Sequence, residues 1–129
     1  MGVVNSDQPH RSVLIVDDNV DLAESLGWLL RYYGCEVEIA QNGYEGLRKA
    51  IAGRPDIILI DIAMPGMTGY EVAKALREQL SYPAILIAQT AYGTAEDRGK
   101  ALEHGFDEHV IKPVEPSYLI QQVAGVSAS

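Results

Sequence analysis

The 129-residue sequence is short of several things, and each shortage removes a class of function. Its one cysteine, Cys35, excludes an internal disulfide framework and any multi-cysteine zinc site. Positive charge is scarce: ten Lys+Arg stand against eighteen Asp+Glu, a formal net charge of −8. Non-specific binding to nucleic acid or to an anionic membrane needs a basic face, so this balance argues against both. No apolar run approaches the ~20 residues of a membrane span. Met1–Arg11 is polar, with neither helical nor strand periodicity and without the apolar stretch of a secretory signal. What is present is enough for a core: 47% of the residues are hydrophobic, and the length suits one domain. The expectation is an acidic, soluble, cytoplasmic single domain, so the question becomes where its acids sit.

From Ser12 onward two kinds of segment alternate. Short apolar, β-branched runs occur at Val13-Leu14-Ile15-Val16, Val37-Glu38-Ile39-Ala40, Ile57-Ile58-Leu59-Ile60, Ala84-Ile85-Leu86-Ile87 and Val110-Ile111. Runs apolar at consecutive positions suit strands buried on both faces, as in a parallel sheet. Between them lie stretches with helical spacing. Leu22, Leu26, Leu29 and Leu30 predict one face of a helix that stops at Gly34. Asn42 with Glu45 opens a short helix over Tyr44–Ala52 stopped at Gly53, and Thr68 with Glu71 opens one running to about Leu80. Thr94 with Asp97 starts a helix through Leu102 ending near Gly105, and Glu115–Val123 is the last. Strand and helix thus alternate five times, which predicts an α/β fold: a doubly wound, five-stranded parallel sheet between two helical layers.

In such a sheet, ligands bind beyond the carboxyl ends of the strands. The first strand is followed by Asp17-Asp18, the third by Asp61, the fourth ends in Gln89-Thr90-Ala91, and the fifth leads into Lys112-Pro113. One edge therefore receives three carboxylates, a hydroxyl and an ammonium. Carboxylates packed this closely repel, and one takes a proton unless a cation joins them. A hard divalent ion held by oxygens is the usual remedy, and Mg²⁺ uses one or two carboxylates together with phosphate oxygens. Lys112 is a compact charge suited to a phosphoryl oxygen, and Thr90 can donate to another. The set fits phosphoryl transfer onto a carboxylate.

The sequence resembles the receiver domain of two-component response regulators. The resemblance rests on Val16-Asp17-Asp18-Asn19, on the stretch from Asp61 to Gly69, on Thr90-Ala91 and on Ile111-Lys112-Pro113, four motifs in order, each at a strand end. It implies a flavodoxin-like (βα)5 three-layer sandwich with sheet order 2-1-3-4-5, a receiver over residues 12–126, a flexible arm over 1–11 and a tail over 127–129. It also implies that Asp61 is the phosphoacceptor. Asp18 and Asp61 would ligate Mg²⁺ (or Mn²⁺) directly, Asp17 through water, with the backbone carbonyl of Ala63 completing the protein ligands. Lys112 would pair with the phosphoryl group, and the Thr90 hydroxyl would move toward it. Ala91 and Tyr92 would shape the phosphate's surroundings with Pro113, whose peptide bond is expected to be cis. His109 occupies the position where the family usually has an aromatic residue that turns inward with the Thr, and would serve with Thr90 as the switch.

Plainer roles compete residue by residue. Asp18 precedes a helix and has helix capping as its alternative, and Lys112 alone would be a surface lysine. Gly66 and Gly69 read as turn glycines, Cys35 as a small core residue, and His10 and His104 as solvated. Trp28, Tyr32 and Tyr33 pack the first helix or sit at its exposed end. The resemblance implies a phospho-switch rather than a turnover enzyme, with self-catalysed phosphoryl acceptance and slow autodephosphorylation only. Aspartyl-phosphate phosphatases typically carry Asp-x-Asp after the first strand, which Asp17-Asp18-Asn19 lacks. The implied partners are a histidine kinase or histidine phosphotransfer domain and a downstream protein target, without direct DNA binding and without a membrane span. The stretches Ala88–Gly93 and His109–Val114 look like receivers attached to hybrid histidine kinases, so in a full-length protein the domain would be tethered to a membrane-bound kinase.

Overall fold

The computed structural model describes residues 11–91 and 93–124, so the expected arm (apart from Arg11), Tyr92 and the expected tail lie outside the described residues. The elements run β1 (Ser12–Val16), α1 (Val20–Tyr32), β2 (Glu36–Ala40), α2 (Gly43–Gly53), β3 (Ile57–Asp61), α3 (Gly69–Gln79), β4 (Ile85–Thr90), α4 (Ala95–Glu103), β5 (Glu108–Ile111) and α5 (Pro116–Ala124). All neighbouring strands pair in parallel, in the order β2-β1-β3-β4-β5, as expected.

Period-two alternation splits the strand side chains between two cores. Leu14, Val16, Ile58, Ile60, Leu86 and Ala88 face one way and pack with Val72 and Leu76 of α3 and Ala101 of α4. Val13, Ile15, Ile57, Leu59 and Ile87 face the other way and pack with Leu30 of α1 and Leu119 of α5. Each fully buried Leu or Ile contributes about 1.5–3 kcal/mol relative to exposure, so β1, β3 and β4 are the fixed centre of the molecule. The edge strands differ from the fully buried runs expected of them: Glu36, Glu38, Glu108 and Ile111 are exposed. β5 also starts two residues earlier than its apolar pair Val110-Ile111 indicates.

Helix α1 corrects the sequence reading of its face. Its buried residues are Ala23, Gly27 and Leu30, while Leu22 is 42% exposed. A Cβ at Gly27 would lie 3.2 Å from Val37 Cγ1, so small residues let α1 lie close against β2. Leu26 and Leu29 are half-buried, and with Leu22 they line a groove of about 290 Å³ toward the β5–α5 loop. Gly34 ends the helix as expected, with φ +93 and its N–H donating to the Arg31 carbonyl. Gly53 does not stop α2 by a left-handed turn. It remains helical, and the left-handed residue is Arg54, whose guanidinium lies 4.4 Å from the Tyr82 ring centroid.

Of the two expected turn glycines, Gly66 has φ +84. Gly69 serves a different need: it opens α3, and a Cβ there would lie 2.6 Å from the Asp61 carbonyl oxygen. The missing side chain lets the α3 N-terminus seat directly behind the end of β3, with the Gly69 N–H donating to the Ile62 carbonyl.

Gly69→Ala is therefore expected to lower stability by about 1–3 kcal/mol through overpacking. Gly53→Ala, in open helical surroundings, should raise it by about 0.4–1 kcal/mol. Urea unfolding of the two variants beside the parent checks both signs.

Candidate functional site

The carboxyl ends of β1 and β3 are adjacent in the sheet, and each ends its apolar run in an acid. Asp17 and Asp61 are both 2% exposed, whereas Asp18 is exposed. One carboxylate oxygen from each of the three lies within 4.8 Å of the others. The capping alternative for Asp18 does not hold, because Asn19 caps α1 by accepting from the Leu22 N–H. Asp18 is thereby left to face the cluster.

Each buried acid is held by short hydrogen bonds. Asp61 Oδ1 accepts from the Ala63 N–H at 3.1 Å, and Asp61 Oδ2 accepts from Lys112 Nζ at 2.9 Å. Asp17 Oδ1 accepts from the Asn19 N–H at 2.9 Å, and its Oδ2 accepts from Gln89 Nε2 at 3.0 Å. Lys112 reaches the site because its own N–H donates to the Thr90 carbonyl at 2.7 Å, fastening the end of β5 to the end of β4. The Lys112–Pro113 peptide is cis, as expected. Thr90 is 8% exposed, and its Oγ1 lies 3.5 Å from His109 Nε2, so the two expected switch residues meet. Ala63 and Ala91 are exposed in the loops after β3 and β4, and Tyr92 lies outside the described residues.

One site residue escaped the sequence reading. Gln89 is 3% exposed and its carboxamide is committed to Asp17. The available signal was a polar residue inside the apolar run of β4. His104, expected to be solvated, is half-buried against Tyr70 (ring centroids 4.6 Å apart), and its Nδ1 is 2.8 Å from the Lys100 carbonyl. Cys35 is a core residue as expected, its thiol pushed up by burial. Trp28, Tyr32 and Tyr33 are exposed and pack on one another at the end of α1.

The electrostatics follow from crowding. Burial pushes the Asp61 carboxyl above the ordinary carboxylate range. The Lys112 hydrogen bond opposes the rise, the Asp17 charge adds to it, and the Lys112 charge and the Ala63 N–H oppose it without cancelling it. Burial pulls the Lys112 ammonium down, but the hydrogen bond to Asp61 and the charges of Asp61, Asp17 and Asp18 outweigh it and hold the group above its ordinary value. Three acids against one ammonium leave a site short of positive charge, and its oxygen donors fit a hard divalent cation of the Mg²⁺ kind.

Because the folded-state pKa of Asp61 is raised, its contribution to stability is full below the ordinary carboxylate pKa. That contribution is lost as pH rises through the raised value. Lys112 stays charged throughout this window. Asp61→Asn is expected to remove that loss, so that the variant gains on the parent as pH rises from acid to neutral. Urea midpoints across pH, with divalent cations chelated, check this, and parallel curves for the two proteins would contradict it.

Comparison with known proteins agrees with this geometry. Residues 13–124 match the family model of the response regulator receiver domain. The sensory transduction protein RegX3 of Mycobacterium tuberculosis is 38% identical over 115 residues, which cover 89% of this chain and 50% of that protein. The chain thus spans about half the length of the curated relatives it matches. Among solved structures, chemotaxis protein CheY4 of Vibrio cholerae is 33% identical, with a TM-score of 0.83 over 92% of this chain and 99% of that one. A second match is to the co-crystal structure of the Saccharomyces cerevisiae histidine phosphotransfer signaling protein Ypd1 with the receiver domain of the response regulator Ssk1. It is 31% identical, with a TM-score of 0.82 over 95% and 94% of the two chains. A parallel sheet in this order, an acidic cluster at its carboxyl edge and a family match over nearly the whole chain lead to one conclusion: the chain belongs to the response regulator receiver domains of two-component phosphorelay signalling.

Proposed function

We propose that Asp61 is the phosphoacceptor and that the donor is a phosphohistidine of a histidine kinase or a histidine phosphotransfer protein. The observation that carries this reading is the 2.9 Å contact of Lys112 with Asp61 Oδ2 beside the carboxylates of Asp17 and Asp18. An oxygen of the Asp61 carboxylate attacks phosphorus, the phosphorus–nitrogen bond to imidazole breaks, and an acyl phosphate forms. Lys112 then exchanges its carboxylate partner for a phosphoryl oxygen. Asp18 and Asp61, the Ala63 carbonyl and, through water, Asp17 would hold Mg²⁺ or Mn²⁺, whose charge offsets that of the phosphoryl oxygens.

Thr90 and His109 are the proposed output of the site. The Thr90 hydroxyl, at the end of β4, donates to the phosphoryl group, and the His109 ring follows it inward. Two observations support this coupling. The side chains already lie 3.5 Å apart, and Ala101 is the one buried residue of α4, so the helix beyond Thr90 is lightly anchored. Ala91 leaves room beside the phosphoryl group. Among the described residues no helix is long and apolar enough to cross a membrane. With its acidic composition, the domain is proposed to act through protein contacts, as a switch and not as a turnover enzyme.

Incubation with a small phosphodonor such as acetyl phosphate and Mg²⁺ tests the reading. Labelling of one phosphoryl group per chain, lost in Asp61→Asn, is expected. Sustained turnover of the donor would mark a phosphatase instead. Absence of labelling with Mg²⁺ present would mark a domain that works by contact alone.

A further inference from the structure

We propose that Gln89 is a positioning residue for the cation site, resting on the phosphoacceptor reading above. β3 lies between β1 and β4, so Asp17 and Gln89 stand two strand spacings apart, roughly 10 Å between backbones. The Gln89 backbone is paired with Asp61 in the sheet register, and its carbonyl accepts the Ile62 N–H at 3.0 Å. From that anchor its side chain crosses the end of β3 and donates from Nε2 to Asp17 Oδ2 at 3.0 Å. The Asn19 N–H occupies the other oxygen, so the Asp17 carboxylate is pinned from both sides. Gln89 and Asp17 also line the apolar groove formed by Leu22, Leu26 and Val114. At 3% and 2% exposure, water competes little for the contact.

This arrangement assigns a task to the amide. A carboxylate that holds a cation's water gains from a second partner that fixes its plane. Loss of a direct ligand's partner typically weakens metal affinity about 10–100-fold, and a carboxylate acting through water sets the lower end of that range as the ceiling here. A glutamine is long enough to span β3, where an asparagine is one methylene short. Its N–H donor meets the Asp17 carboxylate without adding charge to a site already crowded with acids.

Gln89→Met keeps the length and suits the groove but removes the donor, and Gln89→Leu removes it with a shorter, branched side chain. Calorimetric titration of Mg²⁺ into the unphosphorylated parent and variants is the test, with urea unfolding run beside it. Both variants are expected to bind Mg²⁺ more weakly, by up to about tenfold. The rate of labelling at saturating Mg²⁺ should be retained, so that the defect lies in the Mg²⁺ needed and not in the maximal rate. Variants that bind Mg²⁺ as the parent does would overturn the inference, whatever their stability, and leave Gln89 a buried residue that merely satisfies its own amide. A parent that binds no Mg²⁺ and takes no label would overturn the phosphoacceptor reading itself, and this inference with it.

Discussion

Three carboxylates share one small volume at the edge of a parallel sheet, with oxygens within 4.8 Å of one another, and among the described residues a single ammonium, that of Lys112, reaches them. Like charges at this distance are costly, and burial of Asp17 and Asp61 adds desolvation to repulsion. Much of the neighbouring structure serves to hold this cluster in place. Asn19 takes over the capping of α1, which leaves Asp18 available. Gly69 gives up a side chain so that α3 can close behind Asp61. Lys112 is brought in by a backbone bond to Thr90, and Gln89 reaches over a strand to grip Asp17. The site fits a hard divalent cation and, under the proposed function, a phosphoryl group, at the expense of its own electrostatic comfort.

Under the proposed function, the same arrangement would carry a local charge change to the surface. β4 is buried along its length from Leu86 and ends at Thr90, so its backbone is a rigid base. Beyond it, α4 buries one residue. The Tyr70 ring meets it from α3, with Lys100 Nζ 4.8 Å from the ring centroid and the His104 ring tilted against it. Because Ala101 is the one side chain α4 buries, the proposed switch would displace this helix at little cost to the core. His109, on β5, has its Nε2 3.5 Å from the Thr90 hydroxyl, the contact on which the proposed switch rests.

What the sequence disclosed and what it hid divide along physical lines. Asp17, Asp61 and Lys112 were legible because each directly follows an apolar run, and in a parallel sheet the ends of such runs meet at one edge. The caps at Asn42, Thr68 and Thr94 were legible because a short polar side chain three residues before an acid has a local role that tertiary context seldom overrides. The inner face of α1 is legible only in part. Leu30 is buried and Leu26 packs on the core as its spacing indicates. The small residues Ala23 and Gly27 are buried beside it while Leu22 is exposed, because leucine spacing does not register residues that let the helix approach closely. Gly69 looked like a turn glycine because sequence cannot distinguish conformational freedom from close approach. Gln89 stands out in the sequence only as a polar residue in an apolar run; its partner is 72 positions away, and only the strand order brings the two together.

The central claim is that the carboxylate held by Lys112 is the one that receives phosphate. Reduction of the phosphorylated protein with borohydride converts an acyl phosphate on aspartate to homoserine, which peptide mass spectrometry can locate. The account predicts homoserine in place of Asp61 and nowhere else. Homoserine at Asp17 or Asp18, or phosphate on a hydroxyl or imidazole that resists reduction, would contradict it.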